Sequence, residues 1–488
     1  MALCKVGVLS LLVLLFGIVF AGEAERFDGV SIEETYRAFE PDNGWTRVDY
    51  VLRPTEESFI RCRLILPPKE KWTGRFWGLG NGSEGGKVWH EPSFARRGDA
   101  SVLCDLGTSE RRHYRYPSAF DDYGWRATHL MTVTGKALTE RFYGCKIKRS
   151  YFHGGSTGGN QGMREAMDFP DDYDGIVVDV PAQARVSMCA LYWWIGRAIR
   201  DDAGQVVVST NQCAAMARAA VDWFSDKDEP YARGKFLTDP RYSLEAEEGI
   251  YALASKSCAE LTLPGMRERW HRIFTGPVIN GRRAHAGFPF GADLSGLTKR
   301  FNYNLAWLVG RDCDQRTVGP EKIEEYARRF GPQVNAEKED LSAFAARGGK
   351  LLVMPGLEDE YVPYTSALDW YERTAQRMGG LDRLREFCRL FLLPGRAHGR
   401  GRGMAQVHNA DNVLVDWVEK GIAPELLHAD DYPIAAYPDK IGGDAASGWC
   451  VKPFGRLGIP RTDSLYTHGR EAVPVPTTIG DAVDKGNK

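Results

Sequence analysis

The stretch Ser150-Tyr-Phe-His-Gly-Gly-Ser-Thr-Gly-Gly-Asn160 decides how this 488-residue chain is read. Its first half is aromatic and strand-like. Its second half is a glycine-rich turn with Ser156 at the centre of Gly154-x-Ser156-x-Gly158, and residues 161–167 continue as a helix. Glycines two residues either side of the serine let the backbone turn where a β-carbon would collide, which leaves the hydroxyl standing clear. The pentapeptide alone says little, because 53 glycines in 488 residues allow chance matches. The strand before it and the helix after it give it weight.

A strand, a tight turn carrying serine and a helix make up the nucleophile elbow of α/β-hydrolases. A serine hydroxyl needs a general base, and the base needs a carboxylate to orient it. In this fold they follow in the order serine, acid, histidine. The apolar run 350–354 reads as a strand, and Pro355-Gly-Leu-Glu-Asp359 is the loop leaving it. The run 389–393 reads as another, with Pro394-Gly-Arg-Ala-His398 as its loop. Catalytic groups of open α/β sheets gather at the carboxyl ends of strands, where Ser156, Asp359 and His398 all fall. Glu358 and Glu360 flank the acid and compete with it. His408 and His153 read as structural.

An oxyanion hole takes the backbone N–H of the residue after the nucleophile, here Thr157, and a second from an earlier loop. The segment Gly78-Leu-Gly-Asn-Gly-Ser-Glu-Gly-Gly86 follows the strand 75–79 and suits that purpose. Gly82 is the first choice there and Ser83 the second. A phosphate-cradling loop is the wrong reading, since its first glycine would fall at Asn81 and its Ser/Thr at Val88.

The formal net charge of −2 supplies no basic field for nucleic acid. Lys5, an apolar run over 6–20 and the small residues Ala21-Gly-Glu-Ala24 describe a secretory signal peptide over 1–24, cut after Ala21 or Ala24. The run is short for a membrane span, which needs about 20 residues. The expected compartment is therefore secreted or periplasmic, with no membrane attachment after cleavage. Of ten cysteines, Cys4 leaves with the leader; disulfides are compatible with export, but an odd remainder leaves at least one thiol. No Cys-x-x-Cys pair suggests zinc.

Strand-like and helix-like segments alternate over 25–185 and again over 336–470, which predicts one mostly parallel sheet covered by helices. Helices are expected over 130–143, 365–377 and 411–419. The stretch 186–335 is helix-rich and aromatic and reads as a lid inserted into that core, and 471–488 as a flexible tail. Tyr192, Trp193, Trp194, Trp223, Phe224 and Trp270 fall in the lid. Their rings could stack on a phenolic acyl group, although lid core is the commoner use.

At Arg126-Ala-Thr-His-Leu-Met-Thr-Val-Thr-Gly-Lys-Ala137, the elbow, Phe169-Pro-Asp-Asp-Tyr-Asp-Gly-Ile-Val177, Asp359 with Val362-Pro363, Pro394-Gly395 with His398, and Trp417-Val-Glu-Lys-Gly-Ile-Ala-Pro424, the chain resembles the tannase and feruloyl esterase family of serine hydrolases. The resemblance implies a carboxylic ester hydrolase acting through an acyl-enzyme on esters of hydroxycinnamic or gallic-type acids, small or polysaccharide-linked. It implies no organic cofactor. An esterase of another ester class, or a catalytically silent glycan- or polyphenol-binding protein on the same fold, are the alternatives. The family has cysteines just before the serine and just after the histidine, joined as a disulfide; here these positions are Gly155 and Gly399, so other packing must hold the histidine loop. Relatives also carry an Asp-Gly-rich calcium loop in the lid. Asp222, Asp226, Asp228, Glu229 and Asp239 lack that glycine punctuation, and no metal is expected.

Overall fold

The structure is a computed structural model. It describes the chain outside residues 1–24, 28–29, 41–43, 90–91, 115, 225–236, 238–241, 300–305, 311–312, 314–316, 394, 399–403, 408–409, 425–426, 433–448 and 452–488. The chain divides into two compact units, Met1–Gly175 and Ile176–Lys488.

The first unit is built on strands β1 (Glu25–Phe27), β2 (Val30–Glu40), β3 (Trp45–Arg53), β4 (Ile60–Leu66), β5 (Arg75–Leu79), β6 (Ala100–Cys104) and β7 (Arg149–Gly155), in spatial order β1-β2-β3-β4-β6-β5-β7. Its first four strands run antiparallel, an element the sequence reading did not single out. The pattern is nonetheless written in β3 and β4, where Val48 and Tyr50 are buried either side of the more open Asp49, and Ile60, Cys62 and Leu64 are buried with Arg61 and Arg63 more open between them; period-two burial is what a sheet covered on one face requires. From β6 onward the sheet turns parallel: β5 pairs with β6 and with β7 in parallel register. Short helices α1 (Ser93–Arg96) and α2 (Ser118–Asp121) precede α3 (Ala127–Tyr143), which ends on Gly144 in the left-handed conformation, the usual glycine stop. Helix α4 (Thr157–Asp168) leaves the end of β7.

The second unit carries β8 (Gly175–Asp179), the helix-rich segment 186–335 and the last strands of the sheet. Helices α5 (Arg185–Ala198), α6 (Thr210–Phe224), α7 (Leu244–Ser257) and α8 (Met266–Thr275) are followed by a hairpin of β9 (Val278–Ile279) and β10 (Arg282–Arg283) and by α9 (Ala306–Val309) and α10 (Pro320–Val334). The stretch read as a lid is thus helical in the main. Its aromatics largely form its own core: Tyr192, Trp193 and Trp270 are buried, Phe224 and Phe274 pack at a tilt against Phe290, and the indole N–H groups of Trp193 and Trp194 donate to the Val318 and Arg272 carbonyls. Trp223 is the exposed one.

After α11 (Ser342–Ala346), β11 (Lys350–Met354) lies between β8 and β12 (Cys388–Leu390), parallel to β12. Leu351, Leu352 and Val353 are fully buried, as the unbroken apolar run of a two-sided parallel strand demands. Helices α12 (Tyr364–Arg377) and α13 (Leu381–Leu384) connect the two strands. Beyond them come β13 (Met404–Val407), α14 (Ala410–Lys420), β14 (Leu427–Tyr432) and β15 (Trp449–Val451), the three strands forming an antiparallel sheet. Strand β12 stops at Leu390, short of the expected run to residue 393, yet Leu393 still bridges Gly356 in parallel fashion. Among the described residues no helix is long and apolar enough to cross a membrane, and Cys62, Cys104, Cys145, Cys189, Cys213, Cys258 and Cys388 are unbridged thiols.

Candidate active site

Ser156 sits between the last residue of β7 and the first of α4 with φ 58° and ψ −117°. An L-residue at this combination of positive φ and strongly negative ψ lies outside the allowed regions, is strained by about 1–3 kcal/mol and needs its surroundings to hold it there. Three glycines supply the hold. A β-carbon on Gly80 would lie 2.5 Å from Gly158 Cα, one on Gly154 would lie 2.3 Å from the Gly158 carbonyl oxygen, and one on Gly158 would lie 2.9 Å from the Gly80 backbone. The end of β5, the end of β7 and the start of α4 therefore approach at backbone contact, which only glycine permits.

The loop after β5 is tied to the same helix. The Asn81 N–H donates to Gln161 Oε1 (3.2 Å), Gln161 Nε2 donates back to the Asn81 carbonyl (3.0 Å), and the Thr157 hydroxyl donates to the Ser83 carbonyl (2.7 Å). The Tyr123 hydroxyl reaches the same carbonyl. Gly82 lies between these ties with open space where a side chain would be, and Ser83 is itself held at positive φ. Thr157 is buried. His153 on β7 accepts the Gly80 N–H through its main-chain carbonyl, a strand-pairing role.

In the second unit, the loops leaving β11 and β12 bring Asp359 and His398 together. His398 Nδ1 lies 2.9 Å from Asp359 Oδ2. The Asp359 carboxylate is fully buried, and its other oxygen accepts the N–H groups of Tyr361 (2.8 Å) and Val362 (2.7 Å). With both oxygens of an acceptor-only group engaged, Nδ1 must carry the proton, which leaves Nε2 as the basic atom. Burial, the largest influence on the imidazole, pulls its pKa down. The charge and hydrogen bond of Asp359, with Glu360 and Asp179 behind it, outweigh burial and set the pKa above its ordinary value.

The flanking carboxylates do other work. Glu360 Oε2 accepts the His398 backbone N–H (3.0 Å), and burial raises its pKa. Glu358 accepts the Leu237 N–H, and burial pushes it up to about 7. The two loops are stitched along their backbones: Leu357 N–H to the Leu393 carbonyl (3.0 Å), Glu358 N–H to the Arg396 carbonyl (3.0 Å) and Leu393 N–H to the Pro355 carbonyl (3.0 Å). Arg396 adds an ion pair to Asp179 at the end of β8 (2.6 Å). These bonds hold the histidine loop with glycine at positions 155 and 399. Gly399 and His408, and with them any distance to Gly155, fall outside the described residues. So do Asp226, Asp228, Glu229 and Asp239; Asp222 lies on α6.

The contacts that sequence reasoning missed are the Glu360 and Asp179–Arg396 bonds around the imidazole and the approach of Gly80 to the elbow. Only the glycine-rich composition of residues 78–86 hinted at the last.

The model of the family described as tannase and feruloyl esterase matches residues 51–301 and 302–437. The chain belongs to that family. It is accordingly a carboxylic ester hydrolase on the α/β-hydrolase fold. Among its relatives, the probable feruloyl esterase B-2 of Aspergillus fumigatus is 27% identical over 413 residues, covering 78% of each chain. The probable feruloyl esterase of Arthroderma benhamiae is 29% identical over 463 residues, covering 80% of this chain and 82% of its own. The crystal structure of feruloyl esterase B from Aspergillus oryzae superposes with a TM-score of 0.72 at 23% identity, covering 84% of this chain and 86% of that one.

Proposed function

We propose that this family member is an exported serine esterase that cleaves esters of hydroxycinnamic or gallic-type acids, with Ser156 as nucleophile, His398 as general base and Asp359 as its orienting carboxylate. In the first step Nε2 of His398 takes the hydroxyl proton as the Ser156 oxygen attacks the acyl carbon. The carbonyl oxygen becomes an oxyanion that accepts from the Thr157 and Gly82 N–H groups. Collapse expels the alcohol, which leaves with the proton from His398, and the acyl group remains on Ser156. Water, giving its proton to Nε2, then attacks the acyl-enzyme; its collapse returns the proton to the Ser156 oxygen and releases the acid.

The observation that carries this reading is the backbone of Ser156. A glycine there would relieve the strain, so a serine kept at φ 58° between strand and helix is explained by what its hydroxyl does rather than by stability. The aromatic-acid part rests on the names of the relatives, and export rests on the leader sequence.

A fluorophosphonate probe tests the mechanism. Wild type should be labelled on Ser156, and Ser156→Ala should lose both labelling and turnover; labelling elsewhere, or undiminished turnover in the variant, overturns it. Parallel assays on methyl ferulate, methyl gallate and p-nitrophenyl acetate test the acyl group, with the two aromatic esters expected to lead. Amino-terminal sequencing of protein recovered from the medium or periplasm should begin at Gly22 or Glu25.

A further inference from the structure

Helix α4 turns its far end toward three side chains that ester hydrolysis does not use. These are His129 on α3, Glu165 on α4 and Asp172 in the loop before β8, and one donor atom from each lies within 4.8 Å of the others. His129 Nδ1 is 2.7 Å from Asp172 Oδ2, and the imidazole lies flat on the Phe169 ring, 3.9 Å away at 13°. Glu165 is 1% exposed, and neither of its carboxylate oxygens has a hydrogen-bond partner among the described residues. Lys136 donates to the Asp172 main-chain carbonyl, lies over the Tyr173 ring and brings a positive charge near Glu165, yet burial and the neighbouring Asp172 carboxylate hold the Glu165 carboxyl well above the usual carboxylate range; Arg164 is paired with Asp168. Two carboxyl groups this close in a buried place repel each other when ionised, a cost that a bound dication offsets.

We propose that His129, Glu165 and Asp172 form a binding site for a divalent transition metal of the zinc type. Such ions bind imidazole nitrogen and carboxylate oxygen at about 2.0–2.2 Å, which sets donors around one ion about 3–4 Å apart. The three donors need only small side-chain rotations to reach that spacing. Two carboxylates match the charge of a dication, and an imidazole among three donors selects against calcium, which takes six to eight oxygens. The ion would join α3, α4 and the loop over 169–173, and so brace the helix that begins at Thr157. Binding to the folded chain alone must also raise its stability. The site is independent of the proposed hydrolytic mechanism and is read without an activity assay.

Chelator-treated full-length protein titrated with ZnCl2 in a calorimeter should bind one ion at this site and melt at a higher temperature. His129→Ala and Glu165→Gln should each weaken that binding at least tenfold. Wild type provides a readout that needs no variant: diethyl pyrocarbonate modification, mapped by mass spectrometry, should be suppressed by ZnCl2 at His129. His271, whose imidazole is also paired with a carboxylate, on Glu247, should stay reactive. No stoichiometric binding, binding unchanged in both variants, or His129 reacting equally with and without zinc overturns the proposal.

Discussion

The elbow and the loops that carry Asp359 and His398 are held in place by opposite means. Around Ser156 the constraint is steric and lies in the main chain: Gly80, Gly154 and Gly158 touch backbone to backbone, and no titratable group takes part in that contact. Around His398 the constraint is electrostatic. A buried Asp359, a Glu360 hydrogen-bonded to the main chain and the Asp179–Arg396 pair surround the imidazole. The comparison teaches that the first region should be indifferent to pH and intolerant of any added carbon, whereas the second should tolerate shape-conserving changes but register each change of charge.

The most severe test of the electrostatic side is Asp359→Asn. It keeps the shape but favours the wrong imidazole tautomer, and kcat on an aromatic ester should fall about 10³–10⁴-fold with little loss of stability. A fall of less than tenfold would transfer the orienting role to Glu360. Next comes Glu358→Gln. Glu358 titrates at about 7 in the fold against an ordinary 4.5, so its contribution to stability is complete below about pH 4.5 and is lost as pH rises through 7. The glutamine variant escapes that loss. Its advantage over wild type in urea unfolding should grow by about 3 kcal/mol between pH 5 and pH 9; a pH-independent difference would refute the buried carboxyl.

The steric side is probed by a pair of alanines. Gly80→Ala forces a methyl into the Gly158 backbone and should destabilise by roughly 1–3 kcal/mol, equally at pH 5 and pH 8. Gly82→Ala, two residues on, faces open space and should unfold like wild type. Equal effects from the two would dissolve the contrast. The finest test is Glu360→Gln. The imidazole must be neutral to act as a base, so kcat/KM should fall as pH drops through its raised pKa. Removing one of the carboxylates that raise it should move that acid limb to lower pH, and an unmoved limb would assign the limb to another group.

The parts of the site that were legible in the sequence are those written in contiguous residues. The elbow spells out strand, turn and helix within eleven residues, and Asp359 and His398 each follow an apolar run by a short loop. What was not legible depends on pairings across long stretches of chain. Arg396 and Asp179 are 217 residues apart, and nothing local marks either as a partner. Glu358, Asp359 and Glu360 are chemically alike in sequence; only the folded loop gives one the imidazole ring, another its main-chain N–H and the third the amide of Leu237. The antiparallel strands before β5 were not singled out although Ile60, Cys62 and Leu64 alternate with Arg61 and Arg63, because an edge meander carries no catalytic motif.

The stitching between the loops after β11 and β12 has a consequence for how this protein can vary. Its rungs are main-chain amides, so exchanging the side chains of Leu357, Leu393 or Arg396 leaves them intact. Adding or deleting one residue between Arg396 and His398 does not. Each residue spans about 3.3–3.6 Å of extended chain, enough to carry the imidazole out of reach of Asp359. Length, more than composition, is the property that this short segment must conserve.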